Sequence, residues 1–487
     1  MPEQLISRRQ LLALAAAASA APVALAAART PRYDFQRLRA RLKGPLLTPS
    51  TPDYDQARKT FSFNPRTDRH PAAIAYCADE ADILHCLEFA ELQRLQLAVR
   101  SGGHDVLAAS TCDNGLVIDV SAMKHLGLGS GDVLTVGAGT KSGAINSFLQ
   151  TYDRAVPLGD AESVGVAGLT LGGGLGWLLG RHGAACDNLK RVRMITADGR
   201  VLTVSEHEHP DLFWAIRGGG GNFGIATEFE FVTHPVGHVL GGKLVYDASK
   251  VADFLRFFAD YRRSAPDELT AELSITGGDR RIIVVTVCCL GTASFAERAV
   301  QPLLTKFVPI VNGLTRRPYD QINDPGATVG KVLQQHSAKL GTPSKPSFGI
   351  HWLGGTIGEL SDAAADAIDR QTRLARGGWS FGLGHHMQGA VSAVPATATA
   401  LPRRAGSYCY HFDSWWIDAE QAPTQMAWTD ASMAALAAHS IPTYINYLSD
   451  DREAAVRRAY GDKFHRLLQL KKRYDPQNIL HRNRNIR

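Results

Sequence analysis

Six of the thirteen residues in the stretch 164–176 are glycine. So many glycines sit badly inside a helix or a strand, because each costs backbone entropy and offers no side chain to pack. The interleaved Val166, Leu169, Leu171 and Leu175 sit equally badly in a solvated linker. Backbone that is both bare and apolar suits a chain laid flat against a ligand. Two more glycine-rich stretches bracket this one. Upstream, Leu97-Ala98-Val99 reads as a short strand running into Arg100-Ser101-Gly102-Gly103-His104. Bare N–H groups in such a loop can point at an anionic group such as a diphosphate, although a tight turn with a satisfied histidine has the same pattern. Downstream lies Arg217-Gly218-Gly219-Gly220-Gly221-Asn222-Phe223-Gly224, whose glycines at 219, 221 and 224 fit G-x-G-x-x-G. Residues 211–216 are no convincing strand and no βαβ unit frames the match, so a nicotinamide fingerprint is rejected.

The elements around these stretches are short and mixed. From Ala78 the apolar Ile83, Leu87 and Ala90 recur at helical spacing. Leu116-Val117-Ile118-Asp119-Val120 and Val133-Leu134-Thr135-Val136 read as strands, and residues 141–152 as a short helix. Ala197-Asp198-Gly199-Arg200 between two apolar runs predicts a hairpin. Residues from about 30 to 65 are polar and proline-marked, and are expected to wrap the surface. Beyond residue 237 the glycine density falls. Helical stretches near 249–263 and 293–304 flank strands near 270–276 and 281–289, an order that suits an antiparallel sheet with helices on one face. More strand-like segments lie in 350–430, and an amphipathic helix is expected over about 452–473. The fold class is α+β, and 487 residues exceed one ordinary core, so two domains are expected.

Composition narrows the function. The net charge is +6, but Lys and Arg are spread along the chain with no basic stripe, so no nucleic-acid partner is expected. Seven cysteines show neither metal-ligand spacing nor an even disulfide framework. Cys288-Cys289 sits in an apolar run and reads as core. His385-His386 lacks a third ligand at sensible spacing, so no metal is expected. At the N-terminus, Ser7-Arg8-Arg9-Gln10-Leu11-Leu12 precedes an alanine/leucine run to about Ala28, and Ala24-Leu25-Ala26 offers small residues for cleavage. Paired arginines before a weakly apolar core resemble a twin-arginine signal over residues 1–28, which implies a periplasmic or secreted protein; an ordinary secretory signal or a chance arginine pair is the alternative. That run is too short and alanine-rich to span a membrane, and no other stretch reaches spanning length.

Taken together and in this order, the motifs resemble those of the berberine-bridge-enzyme-like flavoproteins, FAD-linked oxidases of the vanillyl-alcohol-oxidase type. The matching pieces are Arg100 to His104, Gly115-Leu116-Val117-Ile118-Asp119, the stretch 164–174, Asp211-Leu212-Phe213-Trp214 through Gly224, Tyr444-Ile445-Asn446-Tyr447 and Tyr474-Asp475-Pro476-Gln477-Asn478. The resemblance spans about residues 45–487. It implies a two-domain PCMH-type FAD-binding fold: an FAD-binding domain over 40–237, a substrate domain over 238–431 whose antiparallel sheet covers the flavin, and a segment 432–487 that completes the first domain. It implies FAD contacts at Arg100, Ser101, Gly102, Gly103, His104, Asp105, Gly159, Val164, Gly165, Gly168, Thr170, Gly172, Gly173, Gly174, Gly176, Gly224, Ile225 and Asn478. His104 matches the histidine joined through a ring nitrogen to the flavin 8α-methyl. Such a tether cannot be lost outside the cytoplasm and makes the flavin a stronger oxidant. Many relatives carry a second, cysteinyl tether in a Gly-x-Cys-Pro-Thr-Val pattern. Here Gly159-Asp160-Ala161-Glu162-Ser163-Val164 places Ala161 in the cysteine's position, which implies a single covalent bond. Cys186 does not match that slot and is read as structural. Val164 falls where the family gates oxygen access, and its small side chain points to an oxidase.

The reaction so implied is hydride transfer from an alcohol-type C–H, in a carbohydrate or a glycosylated secondary metabolite, with dioxygen reoxidising the flavin to give hydrogen peroxide. Tyr447 is the first candidate base and Tyr444 the second, with Asn446 beside them. A phenol, with an ordinary pKa of about 10, is an unusual base, but near a flavin and a cation it can serve, provided it reaches the hydroxyl. Strand alternation would place Tyr444 and Asn446 on one face and Tyr447 on the other. His386 and Gln388 share a strand parity, and with Trp416 they are the expected substrate contacts. The alternatives are a dehydrogenase or an amine or alkaloid oxidase of the same fold, or a flavin-binding protein without turnover; Glu or Lys clusters in the pocket would favour an amine.

Overall fold

Three β-sheets organise the chain in the computed structural model, which describes residues 33–277, 281–323, 349–402 and 404–487. The expected signal, residues 1–28, lies outside the described residues. The first sheet has the order Leu46–Leu47, Ala73–Tyr76, Leu116–Asp119, Leu97–Arg100. Its last three strands are parallel, and Leu116, Val117 and Ile118 are fully buried, as strands covered on both faces require. The helix Glu80–Gln93 makes the crossover. Asp79 caps it by accepting from Asp82 N, and it buries Ile83, Cys86, Leu87 and Ala90. Arg100 ends its strand directly beside Asp119, and their 2.6 Å ion pair is buried. The loop 101–105 therefore leaves the carboxyl end of a parallel strand, where α/β sheets commonly present ligand sites.

The second sheet is antiparallel throughout, in the order Leu126–Gly129, Val133–Gly137, Ile225–Val232, Leu189–Ile195, Val201–Ser205. The expected hairpin joins its last two strands, with Gly199 at φ +80. Residues 211–216 belong to the helix Pro210–Ile216, so no βαβ unit frames the third glycine cluster. The stretch 164–176 departs from expectation: Val166–Leu171 is a helix despite Gly168. Only that one glycine falls inside it, and Val166, Ala167 and Leu171 bury its apolar side. The glycine triplet lies beyond the helix end, with Gly173 and Gly174 at φ +126 and +83.

The third sheet has nine strands. Its order is Val311–Asn312, His238–Asp247, Arg281–Cys289, Leu269–Gly277, Gly378–His386, Tyr408–Trp416, Gly349–Ile357, Ser440–Ile441, with Thr315–Pro318 also paired to His238–Asp247. The helices Val251–Ser264, Ala293–Thr305, Asp362–Leu374 and Ala422–Ala435 cover one face. Phe254, Phe258, Leu273, Val285, Trp379, Phe381, Tyr410 and Phe412 form the core between them. Each such large side chain contributes about 1.5–3 kcal/mol on burial, and alternation then fixes what the opposite face carries. Leu269, Ala271, Leu273 and Ile275 enter the core, which leaves Glu272 on the other side. On Gly378–His386 the alternation breaks at a bulge between Gly384 and His386, where His385 has φ +44. The amphipathic helix expected over 452–473 is two helices, Glu453–Tyr460 and Phe464–Tyr474, separated at Gly461, whose φ of +53 ends the first.

Candidate active site

Loops from the first two sheets, the bare face of the third and the C-terminal segment enclose a cavity of about 420 Å³. The backbone of 101–105 and of 164–168 forms one wall. Gly102 and Gly165 touch there: a Cβ on Gly102 would lie 2.3 Å from Gly165 N, so the close approach requires glycine on both sides. Ser101 Oγ donates to Ala138 O at 2.7 Å and anchors the loop. Gly159, Val164, Gly168, Gly224 and Ile225 also line the cavity.

The second half of the glycine stretch does something else. A Cβ on Gly172 would lie 2.0 Å from Asn446 Oδ1, and one on Gly173 2.8 Å from Leu401 Cδ1. Gly174 N donates to Tyr444 Oη at 2.8 Å, and a Cβ on Gly176 would strike Leu158 O. Gly172, Gly173, Gly174 and Gly176 are therefore packed by protein, and neither they nor the buried Thr170 lines the cavity. Two other expected contacts, Arg100 and Asn478, do not line the cavity either. Arg100 turns away to Asp119 and to Ala57 O, where its Nη1 donates at 2.7 Å. Asn478 stands in left-handed backbone in the turn after the last helix, where its carbonyl contacts His481 Nδ1 at 3.0 Å.

His104 sits in the wall, stacked on Phe61 with ring centroids 4.2 Å apart. Its Nε2 lies 2.8 Å from Ser163 Oγ. Burial, helped by Lys141, lowers its pKa to about 4, so the imidazole is neutral at pH 7 and keeps a nucleophilic ring nitrogen. Asp105 pairs with Arg484, which also donates to Leu448 O at 2.8 Å. This pair ties the C-terminal tail to the first glycine loop. Ala161 lines the cavity, whereas Cys186 is buried elsewhere with its Sγ 3.7 Å from Asp187 Oδ1. All seven cysteines are buried free thiols.

Tyr444, Asn446 and Tyr447 all reach the cavity. Residues 445–447 form a 3₁₀ turn, and its tighter rotation replaces the strand alternation that would have separated them. Tyr444 Oη accepts from Gly174 N and from Asn446 Nδ2, the latter at 2.9 Å, and burial raises its pKa. Burial first, and then the Asp160 carboxylate, hold the phenol of Tyr447 well above its usual pKa. Trp352 meets Tyr447 edge-on at 5.0 Å and stacks on His411 at 5.0 Å.

The bulge at 384–386 reverses the expectation for the substrate side. His386 stacks on Tyr408 at 4.1 Å, Gln388 Nε2 reaches Ala265 O at 3.4 Å, and Trp416 packs on Ala422 and Met426; none of the three lines the cavity. His385 lines it instead. Its Nδ1 lies 2.5 Å from Glu272 Oε1, and Asp160 completes a cluster in which one carboxylate oxygen of each acid and a ring nitrogen of His385 all fall within 4.8 Å of one another. Burial raises the Asp160 carboxyl, and Glu272 raises it further, to about 6. Burial pulls His385 down, but the Glu272 carboxylate outweighs it and holds the imidazole at about 9.

Sequence reasoning missed Asp160, Glu272, Trp352, His385 and His411. Gly354, Gly382 and Gly384 were the available signal: a Cβ on Gly382 would lie 2.1 Å from His411 Cε1, and one on Gly384 3.0 Å from Glu272 Oε1. It also passed over 219–222, which line the cavity although the nicotinamide motif was rightly set aside.

The cavity suits a flavin dinucleotide. It offers bare backbone on two sides, and Ser110 Oγ and Asn483 Oδ1, on residues that line it, have no hydrogen-bond partner among the described residues. The FAD binding domain family matches residues 71–205, and the berberine and berberine like family matches residues 443–487. An uncharacterized FAD-linked oxidoreductase of Bacillus subtilis, YgaK, is 27% identical over 451 residues, covering 91% of this chain and 96% of that one. The structure of 6-hydroxy-D-nicotine oxidase from Arthrobacter nicotinovorans superposes with a TM-score of 0.80 at 24% identity, covering 92% of this chain and 98% of that one. Xylooligosaccharide oxidase from Myceliophthora thermophila gives 0.77 at 22% identity, with 93% and 98% covered. These two likenesses establish the fold. No helix among the described residues is long and apolar enough to cross a membrane. With the two family matches contributing to one cavity, the protein is an FAD-linked oxidoreductase that carries an FAD binding domain and a berberine and berberine like segment.

Proposed function

We propose that this chain is an exported oxidase that holds FAD through a single covalent bond to His104. It takes a hydride equivalent from an alcohol-type C–H of a carbohydrate or secondary metabolite and passes the electrons to dioxygen, giving hydrogen peroxide. The observation that carries this reading is the neutral His104 imidazole in the cavity wall, with Ala161 in the same wall and no thiol lining it among the described residues. Ser101, Gly102, Gly103, Gly165, Gly168 and the 219–222 turn would hold the cofactor by backbone contact. FAD, when bound, supplies the two-electron acceptor. Val164 lines the same wall, and its small side chain suits access of dioxygen.

The likeness to xylooligosaccharide oxidase supports a carbohydrate donor. A second reading, an amine donor, is favoured by the carboxylates of Asp160 and Glu272 on the substrate side and by the likeness to 6-hydroxy-D-nicotine oxidase. Acid denaturation tests the tether. Yellow colour is expected to stay with the polypeptide, and His104→Ala is expected to release it; colourless denatured wild-type chain sinks the tether. Peroxide release across a panel of sugars, alcohols and amines separates oxidase from dehydrogenase and from a silent binder.

A further inference from the structure

We propose that Asp160, held in place by Glu272 and His385, takes the proton the donor gives up, a role the sequence assigns to Tyr447 or Tyr444. This rests on the oxidase reading above and names a further residue of that same site. Neither tyrosine is well placed to accept a proton. Tyr444 Oη accepts from Gly174 N and Asn446 Nδ2, contacts that favour a phenolate, but burial outweighs them and holds the phenol above its usual pKa. Tyr447 is half-buried beside Trp352, with the carboxylates of Asp160 and Glu272 as charged neighbours, and such surroundings penalise a phenolate. Among the described residues, two carboxylic side chains line the cavity, Asp105 and Asp160, and Arg484 pairs with Asp105.

The cluster around Asp160 is built by the fold. The alternation of Leu269, Ala271, Leu273 and Ile275 into the helix-covered core sends Glu272 towards the cavity side. The bulge after Gly384 and the left-handed backbone of His385, unusual for a residue with a Cβ, turn the imidazole onto Glu272 at 2.5 Å. Gly384 leaves the space that Glu272 occupies. The groups facing Asp160 are Glu272, His385, Tyr319 and Tyr447. Arg262, which bonds Leu269 O, adds a cation to the field of Glu272. Burial raises the proton affinity of Asp160 most, Glu272 raises it further, and the His385 imidazolium lowers it. The balance, about 6, lets Asp160 enter the reaction ionised at neutral pH and still hold the proton it receives.

In the step, the donor's O–H or N–H bond breaks towards a carboxylate oxygen of Asp160. The electron pair left on oxygen or nitrogen closes a double bond to carbon as the C–H pair leaves as hydride to the oxidant, a flavin. The donor loses two electrons, and the proton rests on Asp160 until water removes it.

The test uses the holoenzyme and whichever donor releases most peroxide in the panel, with anaerobic flavin reduction followed from pH 5 to 9. Asp160→Asn is expected to slow reduction by about 10²-fold or more and to erase the acid limb near pH 6. Tyr447→Phe keeps that limb and loses less than about tenfold. His385→Gln moves the limb to higher pH, because the imidazolium that opposes protonation of Asp160 is gone; this variant decides the matter should Asp160→Asn fail to fold. Infrared titration of the carboxyl C=O band, which needs no turnover, should show a group titrating near pH 6 in the wild type and lacking in Asp160→Asn. A wild-type rate with an intact acid limb in Asp160→Asn overturns the proposal. So does loss of the rate at every pH in Tyr447→Phe, or a rate that a chelator abolishes and a divalent cation restores. A chain that purifies without flavin overturns the oxidase reading instead.

Discussion

The two walls of the cavity are built on opposite plans. One is backbone: 101–105, 164–168 and 219–224 approach so closely that Gly102 and Gly165 exclude any Cβ. The other is side chains carried on strands of the third sheet, Trp352, His385 and His411, with Glu272 held against His385 and glycines between them to make room. A backbone wall recognises what every holder of the same cofactor shares, namely charge and flatness. A side-chain wall can vary residue by residue, and substrate choice and proton transfer belong there.

The contrast breaks most sharply at glycine. Gly165→Ala places a Cβ 2.5 Å from Gly102 N and 2.6 Å from Ser101 Oγ, with backbone on one side that cannot yield. Overpacking of this kind costs about 1–3 kcal/mol or more. A lowered melting temperature and loss of bound flavin are expected together. Three residues on, Gly168→Ala should behave oppositely. Its Cβ meets nothing within 4 Å among the described residues, and alanine inside a helix gains up to about 1 kcal/mol over glycine. The fold should be as stable or more so while flavin loading falls, because the methyl enters the cavity. Equal melting losses in both variants would mean that Gly168 is packed by protein and the backbone wall is shorter than described.

These glycines also mark the limit of what could be read from the sequence. The place of His104, Ala161 and the glycines at 102, 103, 165 and 168 at the cavity was legible because each lies within a few residues of its motif. Gly172, Gly173 and Gly174 have the same local pattern, yet their packing partners are Asn446, Leu401, Tyr444 and Ala185, brought in by the chain's fold. Arg100 was misread for a similar reason: its partner Asp119 stands on the neighbouring parallel strand. The side-chain wall was hidden because residues 272, 352, 385 and 411 meet only through strand order, and one bulge exchanged His386 for His385. Tyr444, Asn446 and Tyr447 were found by family position, and a turn in place of a strand is what unites them.

On the side-chain wall the expected effects are electrostatic. His385 titrates at about 9 in the folded chain against about 6.5 unfolded. A raised pKa stabilises fully below the unfolded value and is lost as pH rises through the folded one. His385 should therefore contribute about 3 kcal/mol near pH 6, declining between about pH 6.5 and 9. Glu272→Gln removes the carboxylate that holds the proton. Its melting temperature should depend much less on pH across that window than the wild type's, while the backbone wall and flavin loading stay intact. A wild-type slope retained in Glu272→Gln would separate His385 from Glu272.

The smallest effect is expected on the far side of the bulge. Gln388 shares neither the cavity nor the carboxyl cluster; its side-chain amide makes a 3.4 Å approach to Ala265 O. An exchange at such a position ordinarily shifts stability by no more than about 0.5 kcal/mol. Gln388→Ala should leave melting temperature, flavin loading and donor kinetics close to wild type, whereas His385→Gln displaces the pH profile. If Gln388→Ala instead raised the donor KM several-fold with kcat unchanged, strand parity would hold through residue 388 in solution. His386 and Gln388, and not His385, would then face the donor.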